Sequence, residues 1–540
     1  GRLAADGSLL EPLTDEELGQ LIERLRKLQP EAVAINLLFS FLDSRYEEAI
    51  ENAIAAAGLP LLVSRSSEVL PVYKEYERGI ATWLNASLGP VIKGYLSRLQ
   101  EGLAGCSLQI MQSSGETIAA SKAAKSAVHL LLSGPAGGLT AMQYLGEQLS
   151  TPKIISFDMG GTSTDVALLN GEIATTTEGR IGPFPIGVPM VDMHTIGAGG
   201  GSIAYVDSGG MLQVGPRSAG AQPGPACYGQ GGIEPTVTDA NLVLGRLVAD
   251  VSLAGDLRLD SQLARKAVAT IAEQIGLSVE ETALGIVSVA NEHMARATRE
   301  ISVNRGHDPA DFVLASFGGA GGLHVCALAE AMQMQRAIVP ARGGVLSAMG
   351  MLVAPRGRQF TRTVNTEAEP VVAASLDSEF SMLSDQGRTE LLAEGLAEES
   401  LHYQYSADLR FRGQSYTLNI PWENVAQAKA AFQALHRQRY GYDMEVAIEV
   451  VNLRVTVTAG EVRFQLPAQE QAITCNKPRY TEVYGQADPA QLIARDELEQ
   501  DSRLQGPAVI YEYAATTYVA PGWQGQVDSL GNLILTRKDR

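Results

Sequence analysis

Two aspartates bracket a run made almost wholly of glycine and hydroxyl residues: Asp158-Met159-Gly160-Gly161-Thr162-Ser163-Thr164-Asp165. Glycines let the backbone approach an anion and turn N–H groups toward it, the hydroxyls add donors, and the two carboxylates can hold Mg²⁺ directly or through water. Such a loop suits a nucleotide phosphate. The competing reading is a polar turn with fortuitous glycines. A P-loop is excluded, because the run has no Gly-Lys-Ser/Thr ending and opens no helix.

A second candidate is the apolar stretch Val313–Phe317 followed by Gly318-Gly319-Ala320-Gly321-Gly322 and a helical run from Leu323 to Met332. Neither glycine register completes GxGxxG, and no acid stands about 20 residues on to meet a ribose, so dinucleotide binding is disfavoured. The loop either lets a nucleoside lie flat on the backbone or serves tight helix-to-strand packing. The third candidate is Asp192-Met193-His194, where strand alternation would set carboxylate and imidazole on one face to share a divalent metal or a substrate proton. Cys227 could join them only through the fold, and a lone His or Cys is more often an interior residue.

The elements that must position these groups are legible in outline. Thr14 before Asp15, Glu16 and Glu17 reads as a capping box, with Leu18, Leu21, Ile22, Leu25 and Leu28 at helical spacing up to Pro30. An apolar run from Ala32 to Phe39, a helical segment from about Asp43 to Ala57 and a short run at Leu61 to Val63 alternate strand, helix, strand. A long helix from about Tyr76 to Gln100 leads to a strand at Leu108 to Met111, then to Ser133-Gly134-Pro135-Ala136-Gly137-Gly138, read as punctuation and a domain boundary. Ile154 to Phe157 and Val166 to Leu169 read as two strands joined antiparallel by the first glycine loop, with Asn170-Gly171 as a turn signal. Beyond about residue 355 the patterns are mostly β, around one helix near Ala426 to Tyr440, which predicts a separate C-terminal α+β domain.

Length and composition bound the rest. At about 150 residues per domain, 540 residues predict several domains. Forty-two basic against 61 acidic residues give a net charge of −19, which repels a phosphate backbone and argues against nucleic acid. No stretch reaches the roughly 20 apolar residues of a membrane span. Cys106, Cys227, Cys326 and Cys475 include no CxxC pair, so neither a disulfide framework nor a zinc ribbon is suggested, and a cytoplasmic location is expected.

Seven segments together resemble the hydantoinase A/5-oxoprolinase family: FDMGGTSTDVALL (157–169), DMHTIGAGGGSIA (192–204), AGAQPGPACYGQGG (219–232), EPTVTDANLVLGRL (234–247), SFGGAGGLH (316–324), LSGPAGG (132–138) and SSEVLPVYKEYER (66–78). The resemblance implies an α/β fold of the actin-like ATPase (ribonuclease H-like) type followed by a C-terminal β-rich domain. The corresponding bounds are 1–135 for the remainder of an N-terminal lobe, 136–358 for the ATPase lobe and 359–540 for the last domain. It makes Asp158 to Asp165 the second phosphate hairpin and Gly318, Gly319, Ala320 and Gly321 the adenosine-side loop. Family members begin with an earlier hairpin of the type DVGGTFTD, which residues 1–30 do not supply, so an N-terminally incomplete chain is expected.

The implied chemistry is ATP-dependent opening of a hydantoin, 5-oxoproline or lactam. Resonance makes an amide carbonyl a poor electrophile; phosphorylating its oxygen removes that donation and installs a leaving group. On this reading Asp158 and Asp165 hold Mg²⁺; Gly160, Gly161, Thr162, Ser163 and Thr164 hold phosphate; and Asp192 and His194 stand near the reacting group, with Cys227 a further candidate ligand for a second divalent ion such as Zn²⁺ or Mn²⁺. A hydantoinase B-type partner subunit is implied, in a hetero-oligomer or a homodimer. Two alternatives remain: a ketone carboxylase subunit of the acetone or acetophenone type, and a non-catalytic, nucleotide-switched actin-like module.

Overall fold

The structure is a computed structural model that describes residues 1–249, 255, 257–460 and 478–538. It is a mixed α/β protein in two compact units, each assembled from three separate stretches of chain. The first unit comprises Gly1–Ala136, Thr175–Val191 and Ala354–Arg463, and the second Gly137–Ala174, Asp192–Val353 and Phe464–Arg540. Among the described residues, no helix is long and apolar enough to cross a membrane.

In the first unit, Thr14 caps the helix Asp15–Leu28 with the reciprocal Glu17 bond of a capping box, and Ile22 and Leu25 are buried, as the helical spacing predicts. Ala32–Ile35 and Leu62–Arg65 pair in parallel, with the helix Arg45–Ala56 between them in the chain. A six-stranded sheet follows, built on Leu401–Phe411, Ile448–Ala459 and Arg356–Glu367, with Thr117–Ala119 and Gln109–Met111 at one edge. The helix Ala373–Ala393 lies on it through Leu376, Phe380, Leu383 and Leu391.

The second unit is organised by an eight-stranded sheet. Its strands are β1 (Lys153–Met159), β2 (Thr164–Asn170), β3 (Met193–Ile196), β4 (Val313–Phe317), β5 (Arg336–Val339), β6 (Arg503–Gln505), β7 (Trp523–Val527) and β8 (Leu533–Arg537), in the order β3-β2-β1-β4-β5-β8-β7-β6. β1 and β2 form the antiparallel hairpin read from the alternation, while β1, β4 and β5 run parallel. Helices α1 (Val237–Val243), α2 (Ser261–Ile275) and α3 (Val279–Ile301) pack together, and α4 (Val325–Ala331) follows β4. In α3, Ile286, Ala290, Met294, Ala297 and Ile301 recur at helical spacing and are buried in one cluster with Ile155, Phe157, Val166 and Leu314 of the sheet.

One expectation is corrected. The chain from 359 on is not one domain: its part up to 460 completes the sheet of the first unit, while β6, β7 and β8 extend that of the second. The physical reason is strand pairing, since β8 hydrogen-bonds antiparallel to β5 from Arg336↔Thr536 to Val339↔Leu533. The Gly/Pro run at 133–138, read as punctuation and a domain boundary, opens the helix Ser133–Gln148, and the division between the two units falls inside it, after Ala136. Its glycines permit close approach: a Cβ on Gly137 would stand 2.6 Å from the Ser347 carbonyl oxygen, and one on Gly350 only 1.7 Å from the Gly137 oxygen. Cys475 lies outside the described residues.

That contact generates a stability prediction. Gly350→Ala forces apart the helices Ser133–Gln148 and Leu346–Val353 and should destabilise the protein by about 1–3 kcal/mol, whereas Gly134→Ala, with nothing within 4 Å of its Cβ, should leave stability unchanged or raised by a few tenths. Denaturant titration of the two variants checks the contrast.

Candidate functional site

The hairpin register sets Asp158 directly opposite Asp165, so the two carboxylates share one face at the end of the β1–β2 ladder. β3 then pairs with β2 so that Thr195 stands opposite Asp165, and the Thr195 hydroxyl donates to Asp165 Oδ1 at 2.6 Å. On the other flank β4 aligns Phe317 with Asp158 and hands the chain to Gly318. Gly318 has φ +79°, and a Cβ there would stand 2.5 Å from Asp158 Oδ1 and 2.4 Å from the Met159 oxygen, so only glycine fits. The Ala320 N–H donates to that Met159 oxygen at 3.1 Å and ties the second glycine loop to the first.

A third glycine run supports the hairpin tip from behind. Gly200 N–H donates to the Gly160 carbonyl at 3.0 Å and Gly201 N–H to the Gly161 carbonyl at 2.6 Å. A Cβ on Gly199 would meet the backbone of Gly161 and Thr162 at 2.8 Å. The run is anchored in turn by Thr238 at the start of α1, whose backbone N–H and hydroxyl both donate to the Gly200 carbonyl at 2.8 Å. Carbonyls of the tip are therefore occupied, while Gly161 and Thr162 are exposed, and among the described residues their N–H groups and that of Ser163 meet no backbone acceptor. A turn with the Gly160 and Gly161 carbonyls engaged and three successive N–H groups without a backbone partner is equipped to bind an anion.

The sequence model of the family Hydantoinase/oxoprolinase matches residues 78–358, a span that includes all three glycine runs. The chain belongs to this family. An uncharacterized protein of Methanocaldococcus jannaschii is 36% identical over 99% of this chain and 81% of its own length. Caprolactamase subunit alpha of Pseudomonas jessenii is 34% identical over 99% of this chain and 80% of its own. The 5-oxoprolinase PfmaA of Pestalotiopsis fici is 32% identical over 96% of this chain, which spans 42% of that longer protein. Among solved structures, the ATP-dependent caprolactamase from Pseudomonas jessenii superposes with a TM-score of 0.89 at 33% identity, covering 100% of this chain and 82% of that one. Nucleotide-free acetone carboxylase gives a TM-score of 0.75 at 26% identity, over 99% and 80%.

Several residues singled out from the sequence of this hydantoinase/oxoprolinase chain have other work. The Thr164 side chain is fully buried and its hydroxyl donates to the Ala198 carbonyl, so it fastens the third glycine run and is not available to phosphate. In the second loop, Gly318, Gly319 and Ala320 reach the surface, whereas Gly321 is buried, its Cβ position 2.8 Å from Ser316 Oγ. Asp192 precedes β3, so strand alternation does not govern it, and its two oxygens are taken by the Arg305 guanidinium. His194 pairs with Val166 and so shares the face of Phe157, opposite to that of Asp158 and Asp165. Cys227 is fully buried, and its N–H donates to Asp239 Oδ1 at 2.8 Å. Burial, then the Asp239 charge, push its thiol far up, so the thiolate a metal would need is disfavoured. Among the described residues, no three His, Cys, Asp or Glu side chains gather as a metal site, so Asp192, His194 and Cys227 do not form one.

Other residues escaped the sequence reading. Thr236 and Asp239 form a capping box on α1, and the buried Asp239 carboxylate also accepts from Ala226 and Cys227 N–H. The Thr-Val-Thr-Asp spacing carried that signal. His324 is fully buried at the start of α4, with Nδ1 2.6 Å from Asn291 Oδ1. Burial, reinforced by Arg246, holds its pKa down to about 3, so the imidazole is neutral. Thr195 had no local signal, since threonine is an ordinary strand residue.

Burial and then the Asp165 charge push Asp158 up to about 6, and burial raises Asp165 too, partly offset by the Thr195 hydroxyl. Two facing carboxylates short of cationic partners fit a divalent ion that takes oxygen ligands and completes its shell with water and phosphate. With the folded pKa of Asp158 above its unfolded value, the native state binds the extra proton between about pH 4 and 6, and stability falls as pH rises through that window. Asp158→Asn should therefore stabilise the metal- and nucleotide-free protein by roughly 1–3 kcal/mol at pH 8, with the gain vanishing near pH 4. Melting curves of both proteins from pH 4 to 8 test the sign.

Proposed function

We propose that this chain is the ATP-consuming part of a cyclic amide hydrolase, acting on a lactam, hydantoin or 5-oxoproline ring. The observation that carries the reading is the Asp158–Asp165 pair beside a turn whose N–H groups meet no backbone acceptor among the described residues. Two relatives bear names that specify ring amides, caprolactamase and 5-oxoprolinase, and a solved relative is an ATP-dependent caprolactamase. We read the hairpin 158–165 as a phosphate hairpin of an actin-like ATPase, and Gly318, Gly319 and Ala320 as the nucleoside side.

Asp158 and Asp165 would hold Mg²⁺, which when bound neutralises charge on the phosphate oxygens during transfer. Gly160, Gly161, Thr162 and Ser163 supply backbone donors and hydroxyls at the terminal phosphates, aimed at charge that develops as the phosphoryl group moves. The attacking atom is the amide oxygen: its bond to phosphorus forms as the bond to ADP breaks, and nitrogen then no longer feeds electrons into a neutral carbonyl. Water adds to the activated carbon and the ring amine departs, leaving an acyl phosphate that a second water hydrolyses to the carboxylate and inorganic phosphate. We assign the later steps to a second subunit of the hydantoinase B type; the name caprolactamase subunit alpha itself describes one subunit of an assembly.

A ketone carboxylase is the second reading, favoured by the match to acetone carboxylase. ADP release by the complex with its partner subunit should rise with lactams, hydantoins or 5-oxoproline and be indifferent to bicarbonate. Dependence on a ketone together with bicarbonate would reverse the assignment. Asp158→Asn and Asp165→Asn should each lower substrate-dependent ADP release roughly 10²- to 10³-fold.

A further inference from the structure

Thr195 is an exposed residue on a short strand, and its hydroxyl is not needed for the strand to form. β-Branching alone suits the position, and a hydrogen bond at an exposed site adds little to stability. Its geometry is nevertheless specific. Registers across β1, β2 and β3 align Asp158, Asp165 and Thr195 in one row on one face, with Ser156, Ala167 and Met193 in the next row. Within the first row the Thr195 hydroxyl reaches Asp165 Oδ1 at 2.6 Å, at the short end for such a bond.

The two carboxylates are held differently. Asp158 is walled in by Gly318, where even a methyl group would stand 2.5 Å from Oδ1, and among the described residues no donor is recorded to its oxygens. At Asp165 the contact that fixes the carboxylate is the Thr195 hydroxyl. With Oδ1 engaged there, the second oxygen remains for an incoming ion or its water. Removing the hydroxyl frees the Asp165 side chain to rotate, and each ion bound must then restrict it again.

We propose that Thr195 is a positioning residue for the divalent cation that accompanies the nucleotide, setting the affinity of Asp165 for the ion and not the rate of transfer once it is bound. The inference rests on the function proposed above, in which Asp158 and Asp165 are the cation's ligands. Where a hydroxyl or carboxylate orients a metal ligand, its loss costs about 10- to 100-fold in metal affinity.

The test is Mn²⁺ titration, followed by electron paramagnetic resonance, of the full chain with a nonhydrolysable ATP analogue, using the unaltered protein, Thr195→Val, Thr195→Ser and Asp165→Asn. Valine keeps the branched shape, so folding should be preserved, which melting curves verify. Thr195→Val should bind Mn²⁺ about 10-fold more weakly and Thr195→Ser within about 3-fold of the unaltered protein. In turnover with the partner subunit, Thr195→Val should raise the Mg²⁺ concentration for half-maximal rate by a similar factor and leave kcat at saturating Mg²⁺ within about 2-fold. Unchanged affinity in Thr195→Val overturns the inference, and so does equal weakening in the serine variant, which retains the hydroxyl and would show that the effect is not the hydroxyl's. If the unaltered protein shows no Mn²⁺ site that Asp165→Asn abolishes, it is the proposed function that fails.

Discussion

Two negative charges held face to face on adjacent strands are a cost that the second unit carries in its resting state. The antiparallel register leaves no choice: once Ile154 pairs with Leu169 in the core, Asp158 must meet Asp165 at the far end of the ladder. Nothing in the hairpin itself relieves the repulsion, and burial worsens it by thinning the water around both groups. A fold retains such an arrangement against its own stability when something bound there uses it. The surrounding construction fits that logic. Gly318 closes one side, the Thr195 hydroxyl steadies the other, and the Gly199–Gly201 run takes up the Gly160 and Gly161 carbonyls at the tip.

The three glycine runs differ in what their glycines are for. Gly161 has nothing within 4 Å of a Cβ and is exposed, so its smallness serves what approaches from outside. Gly199, Gly318, Gly321 and Gly322 stand against protein atoms at 2.4–2.8 Å, so theirs serves internal contact. The packing reading of the 318–322 segment holds at Gly318, Gly321 and Gly322, while its first three residues reach the surface and its last two are buried. Composition alone cannot make that division, because it depends on which neighbour the fold brings against each Cα.

Local periodicity carried a large part of the fold. The hairpin was legible because alternating apolar residues on both sides of a turn-forming run specify two strands and their pairing together, and the helix Asp15–Leu28 because a capping box and a hydrophobic stripe agree. What stayed hidden was long-range. That β8 would close on β5, about two hundred residues earlier, leaves no trace in either segment beyond ordinary strand composition, so a single C-terminal domain was expected in place of a chain shared between two units. The same reason hid Thr195, whose role comes from register with Asp165, and misplaced His194, whose face is set by its pairing with Val166. Asp192 looked available for a metal only while Arg305, more than a hundred residues on, was out of view.

Two solved structures that this chain resembles differ in substrate, a ring amide for caprolactamase and a ketone for acetone carboxylase, yet both are named as ATP-dependent. In each case the carbonyl oxygen, or its enol form, is a nucleophile too weak to take a phosphoryl group without neutralised phosphates and exact alignment. On the function proposed above, that requirement falls to a hairpin which never has to recognise the rest of the substrate. It follows that the Asp158–Asp165 hairpin and its glycine supports can remain constant while the substrate changes, and that selection between a lactam and a ketone must come from residues outside those runs. A substitution that alters which carbonyl is phosphorylated should accordingly leave cation and nucleotide binding intact, whereas one in the hairpin should weaken turnover of every substrate by the same factor.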